Sequence, residues 1–146
     1  MPLALITVQR EKHPKLGDQH FLQAFANELR NRIANVLTCA DEGGKLSGAD
    51  IEVEIRDHQG WRHVGGAHYD IQIVVLANEF PARKANLGER TLALRKMIQL
   101  LLPLNITGFV WVRLAPAAFE EFGIGIIPPK DREILEEIFS GPPGET

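Results

Sequence analysis

The chain has 146 residues, 45% of them apolar, which suits one globular domain that needs no disulfide or metal staple. Its 16 basic and 19 acidic residues give a net charge of −3, which argues against a general nucleic-acid binder. That balance still leaves room for an anionic small molecule held by one or two arginines. Cys39 is the only cysteine, so an internal disulfide is excluded and a reducing, cytoplasmic setting is expected.

Leu3 to Val8 is a short apolar run with β-branched residues, and it predicts a buried strand. The run from Pro2 to Ile6 is too short for a signal-peptide core, and Gln9, Arg10, Glu11 and Lys12 follow it at once. Asp18 is the expected N-cap of a first helix. Its apolar stripe is Phe21, Leu22, Phe25, Leu29, Ile33, Val36 and Leu37, and it should end near Ala40, with Gly43 and Gly44 as the stop. Ile51 to Arg56 alternates. Ile51, Val53 and Ile55 take one side and Glu52, Glu54 and Arg56 the other, which predicts a half-exposed strand that another subunit could cover.

A polar loop from Asp57 to His68 precedes Asp70 to Ala77, a stretch rich in isoleucine and valine that predicts a third strand. Pro81 opens a connector into a second helix over Asn86 to Leu102, which Pro103 stops. Ile106 to Leu114 is the fourth strand. Beyond it the pattern predicts a helical turn at Ala117 to Phe122, a linker to Pro129 and a brief amphipathic helix at Asp131 to Phe139. Ile134, Leu135 and Ile138 form the apolar face of that last helix, and the final residues should be loose. No run approaches the roughly 18 apolar residues of a membrane span. Asn105-Ile106-Thr107 matches a glycosylation triplet, read as chance without a secretory signal.

The expectation is therefore an α/β fold of α+β type in one domain, residues 1–146, with a core over 2–114 and a tail over 115–146. Two strand–helix–strand halves, 3–56 and 70–114, each form a right-handed βαβ unit, giving a four-stranded mixed sheet with two long helices on one face. The halves could interleave, as in a ferredoxin-like sheet. Alternatively, each could keep its own parallel pair, with the pairs meeting antiparallel at the centre.

A strand that opens Met1-Pro2-Leu3-Ala4-Leu5-Ile6, followed by this doubled βαβ, resembles the tautomerase superfamily, which includes 4-oxalocrotonate tautomerase and macrophage migration inhibitory factor. The resemblance is one of layout and of a single residue, Pro2, and it spans about residues 2–114. The loop from Asp57 to His68 and the tail after Pro116 are longer than in compact members. It implies the second strand arrangement, a homo-oligomer such as a trimer, and cofactor-independent isomerisation of a small keto–enol acid. Removal of Met1 would free the Pro2 secondary amine. In an apolar pocket that amine loses solvation in its charged form and becomes a neutral base near pH 7. If Met1 is retained, Pro2 is an amide and offers no base.

Arg56 is the favoured electrostatic partner because it alternates away from the core, while Arg10 and Lys45 stand where the resemblance places substrate-binding cations. Each also reads as a solvated surface charge. Phe109, Trp111 and Arg113 share one face of the fourth strand and could line an apolar pocket closed over an anion, or pack at a subunit boundary. His58, His63 and His68, with Asp57 and Asp70, have a composition that can bind zinc, but nothing in their spacing sets them on one face. A solvated loop without metal is the expectation, and a metal module the third reading of function. Cys39 has no evident base partner. No Ser-His-Asp order, Walker loop or dinucleotide fingerprint is present, so no cofactor is expected. The alternative to an enzyme is a non-catalytic ligand-binding or assembly domain with the same βαββαβ sheet.

Overall fold

A computed structural model describes residues 2–39, 45–57 and 69–115. The strands are β1 (Leu3–Val8), β2 (Glu52–Asp57), β3 (Ile71–Asn78) and β4 (Gly108–Ala115). The helices are α1 (Gln19–Leu37), α2 (Pro81–Ala85) and α3 (Leu87–Leu101). The four strands form one sheet in the order β2-β1-β3-β4. β1 runs parallel to β2, β3 runs parallel to β4, and β1 meets β3 antiparallel. Each βαβ half thus keeps its own parallel pair, and the interleaved alternative is excluded.

Alternation divides the sheet into two faces. Ala4, Ile6 and Val8 of β1 and Ile71, Ile73 and Val75 of β3 are buried beneath the helices, in one core cluster with Leu22, Leu29 and Ile33 of α1 and Leu94 and Ile98 of α3. Both long helices therefore lie on one face. α1 begins as the sequence dictates. The Asp18 carboxylate accepts from the amides of His20 (2.9 Å) and Phe21 (3.3 Å), satisfying two of the donors that a helix start leaves open.

The departures are local. α1 stops at Leu37 rather than near Ala40, because Thr38 turns out of the helix with its amide still bonded to the Ala34 carbonyl. Pro81 opens a short helix, α2, where a plain connector was expected. Asn86 then breaks the helical path before α3. β4 starts at Gly108, since Thr107 is held by the Asp70 carboxylate, which accepts from its amide (2.9 Å) and hydroxyl (3.1 Å). Ile55 faces the helix side yet remains exposed, because β2 is an edge strand that α1 barely reaches. The expected elements at Ala117 to Phe122 and Asp131 to Phe139, and the histidine loop except Asp57, lie outside the described residues.

The other face carries Leu3, Leu5 and Thr7 of β1 and Gln72, Val74 and Leu76 of β3, only half-buried, with the exposed Trp111 on β4. Among the described residues no helix covers it, and none is long and apolar enough to cross a membrane.

Candidate active site

Pro2 stands at the head of β1, one of the two central strands, and is buried. Its carbonyl accepts from the Glu52 amide at 3.0 Å, which extends the β1–β2 ladder by one rung. The pairing of Leu3 with Leu76 continues toward Ala77, so Pro2 sits where β1 and β2 begin and β3 and β4 end.

Two arginines belong to this end of the sheet. Leu3, Leu76 and Arg113 share one row across β1, β3 and β4, on the face away from the helices. The Arg113 guanidinium lies over the Trp111 ring, 4.8 Å from its centroid. Arg83, on α2, is buried, donating from Nε to the Leu37 carbonyl (2.8 Å) and from Nη1 to the Asn78 carbonyl (3.1 Å). Burial pushes this guanidinium below its ordinary pKa, opposed by the neighbouring Cys39 thiol, while the charge of Arg90 adds to the lowering. Arg90, on α3, donates to the carbonyls of Val36 and Thr38. Together these two cations close the C-terminus of α1, where the helix dipole favours positive charge.

The other expected cations lie elsewhere. Arg56 stands level with Thr7, four residues along β1 from Leu3, roughly 13 Å at the usual rise per residue. Its Nε meets Glu54 Oε1 at 2.8 Å, and that pairing raises the pKa of Arg56 and lowers that of Glu54. Arg10 is at that same far end, its Nε 2.9 Å from Asp57 Oδ2 but without hydrogen-bond alignment. Lys45 is exposed in the connection after α1. A single chain therefore brings Arg113 to the end of the sheet that holds Pro2, and leaves Arg56 and Arg10 at the opposite end.

Phe109, Trp111 and Arg113 do share one face of β4, and Phe109 meets the Tyr69 ring edge-on at 5.2 Å. Phe109 and Trp111 also line a cavity of about 710 Å³ between α3 and β4; Arg113 does not. This cavity reaches Ile71 at the start of β3, six residues from Ala77, so roughly 20 Å separates that end from Pro2. Sequence reasoning missed Arg83 and Arg90. They stand on two helices separated by the break at Asn86, and what brings both to the end of α1 is tertiary packing that no local spacing carries. Among the described residues no group of three or more His, Cys, Asp or Glu is placed to hold a metal.

No protein-family model matches the sequence, and no curated protein does. Solved structures do match in fold. A malonate semialdehyde decarboxylase superposes with a TM-score of 0.56 at 11% identity, covering 85% of this chain and 92% of that one. A fused 4-OT asymmetric trimer gives 0.55 at 9% identity, with coverages of 83% and 92%. A macrophage migration inhibitory factor-like protein from Entamoeba histolytica gives 0.50 at 12% identity, with coverages of 80% and 88%. These proteins are tautomerase-superfamily members, and by that superposition this chain has the tautomerase-superfamily fold.

Proposed function

We propose that this chain is a cofactor-independent tautomerase or isomerase acting on a small keto–enol carboxylic acid, with Pro2 as its base once Met1 is removed. The observation that supports this most is the place of Pro2, buried at the head of a central strand of a tautomerase fold. Burial favours the neutral amine, the form that can take a proton from carbon at neutral pH. Arg113 is the cation that the same chain brings nearest in strand register, and it would hold the substrate carboxylate. Arg56 can act on this Pro2 only from a neighbouring subunit, so the reading includes a homo-oligomer. The fused 4-OT structures are trimers, and a trimer is the assembly proposed here. In that assembly Phe109 and Trp111 of one subunit would border the Pro2 of the next, while Arg10 and Lys45 would stay at the rim.

The test is ketonisation of phenylenolpyruvate by protein whose processed N-terminus is verified by intact mass. Pro2→Ala keeps a free amine but should cut the rate by about 10²–10⁴-fold, the usual worth of a positioned base. Arg113→Ala and Arg56→Ala should each weaken it further and separately. Wild-type activity that Pro2→Ala leaves untouched would reduce Pro2 to the first residue of a strand.

The position of the cavity favours a second reading. It runs along β4 and α3 from Val112, in one row with Val75 and Ala4, to Ile71 at its far end. Most of it therefore extends away from the proline of the same chain, as a non-catalytic ligand-binding or assembly domain would have it. A retained Met1 in the intact mass favours that reading over the first.

A further inference from the structure

Among the described residues five large apolar side chains are exposed, and two of them, Leu92 and Leu104, line the cavity between α3 and β4. Scattered exposed apolar residues are ordinary, but a concave cluster of them marks a binding surface. The cavity's volume of about 710 Å³ lies within the range of small-molecule sites, roughly 300–1,000 Å³. Its depth is formed by core residues of the sheet, Ile71, Ile73 and Val112.

Polar character enters from one side. Thr91, Arg95 and Gln99 follow one another at four-residue steps along α3, so they share the face that borders the cavity. The Thr91 hydroxyl already donates to the Leu87 carbonyl (2.8 Å), which leaves Arg95 and Gln99 as the donors. Arg95 is also the odd one among the arginines. Arg10, Arg32 and Arg56 pair with carboxylates, and Arg30, Arg83 and Arg90 hold backbone carbonyls. Arg113 stacks on Trp111. Among the described arginines, only the Arg95 side chain has no ion pair, hydrogen bond or ring contact. Among the described residues it is the only charged one that lines the cavity.

We propose that this cavity binds an apolar monocarboxylic acid, its chain against Leu92 and the sheet floor and its carboxylate on Arg95. A guanidinium presents two parallel donors that match a carboxylate, and Arg95 holds them at the exposed rim of the apolar cavity. The assignment does not depend on Pro2 being a base, since it concerns binding alone.

Calorimetric titration of the full chain with octanoate, and with octanol as its uncharged counterpart, tests this. Octanoate should bind saturably, one per chain, with amide shifts in NMR spectra confined to residues 71–73, 87–106 and 108–112. Arg95→Gln, at an exposed position that carries no fold contact, should weaken octanoate about tenfold and leave octanol unchanged. Thr91→Trp, which fills the cavity, should abolish both. Absence of saturable binding, shifts elsewhere, or equal affinity in Arg95→Gln would overturn the proposal. So would a cavity that seats a stretch of polypeptide, because octanoate would then find it closed.

Discussion

Gly108 is where β4 passes closest to β3. A Cβ there would lie 2.5 Å from the Ile71 carbonyl oxygen and 2.6 Å from Ile71 Cγ2. Neither atom can yield easily, since Ile71 is 1% exposed and packed in the core. Gly108→Ala should therefore cost about 1–3 kcal/mol, as overpacking does, and appear as a lower urea midpoint at unchanged slope. An unchanged midpoint would mean that the strands have room to part. The same close pairing shows what single residues could reveal before the fold was known. Alternation correctly sent Arg56 away from the core and put Phe109, Trp111 and Arg113 on one face. Which arginine shares a row with the start of β1 depends on register across three strands, and no local pattern carries that. Arg113, expected as a secondary contact, is thus the one beside Leu3 and Leu76.

At the scale of elements, β1 has the bounds its sequence predicts, and the Asp18 cap starts α1 as expected, because both signals are local. The end of α1 is set by distant chain. Its last carbonyls meet Arg83 and Arg90, 46 and 54 residues further on, where the sequence offered only the later glycines as a stop. α2 was hidden for a related reason, as five residues are too few to show a helical period. Arg83 now defines its role, pinning α2 to the end of α1 and to β3 through Asn78. Arg83→Met keeps much of the stem but strands the Leu37 carbonyl, at about 1–3 kcal/mol for a buried acceptor left without a donor. Thermal melts should show the loss, and Arg83→Lys should recover only part of it, since one ammonium cannot span both carbonyls in the same geometry. A wild-type melting temperature in Arg83→Met would show that α1 ends there without help.

For the whole molecule, the unpartnered sheet face decides the assembly. Leu5, Val74 and Trp111 form one row across it, and among the described residues nothing lies over them. An apolar face of this kind favours association, so light scattering at micromolar concentration should give a multiple of the monomer mass. Val74→Glu should shift that toward the monomer without unfolding it. A monodisperse wild-type monomer would contradict the assembly and, with it, any role for Arg56 beside a neighbour's Pro2. The order of strands was open in the sequence because local periodicity fits both the interleaved and the paired sheet; the direct parallel pairing of β1 with β2 and of β3 with β4 separates them. Whether the Pro2 nitrogen acts as the base can be tested without altering any side chain. Inserting one alanine between Met1 and Pro2 turns the Pro2 nitrogen into an amide and leaves the fold as it was. Against phenylenolpyruvate, the inserted chain should lose about 10²–10⁴-fold in ketonisation rate relative to the verified Pro2 N-terminus. Equal rates from the two proteins would contradict the account.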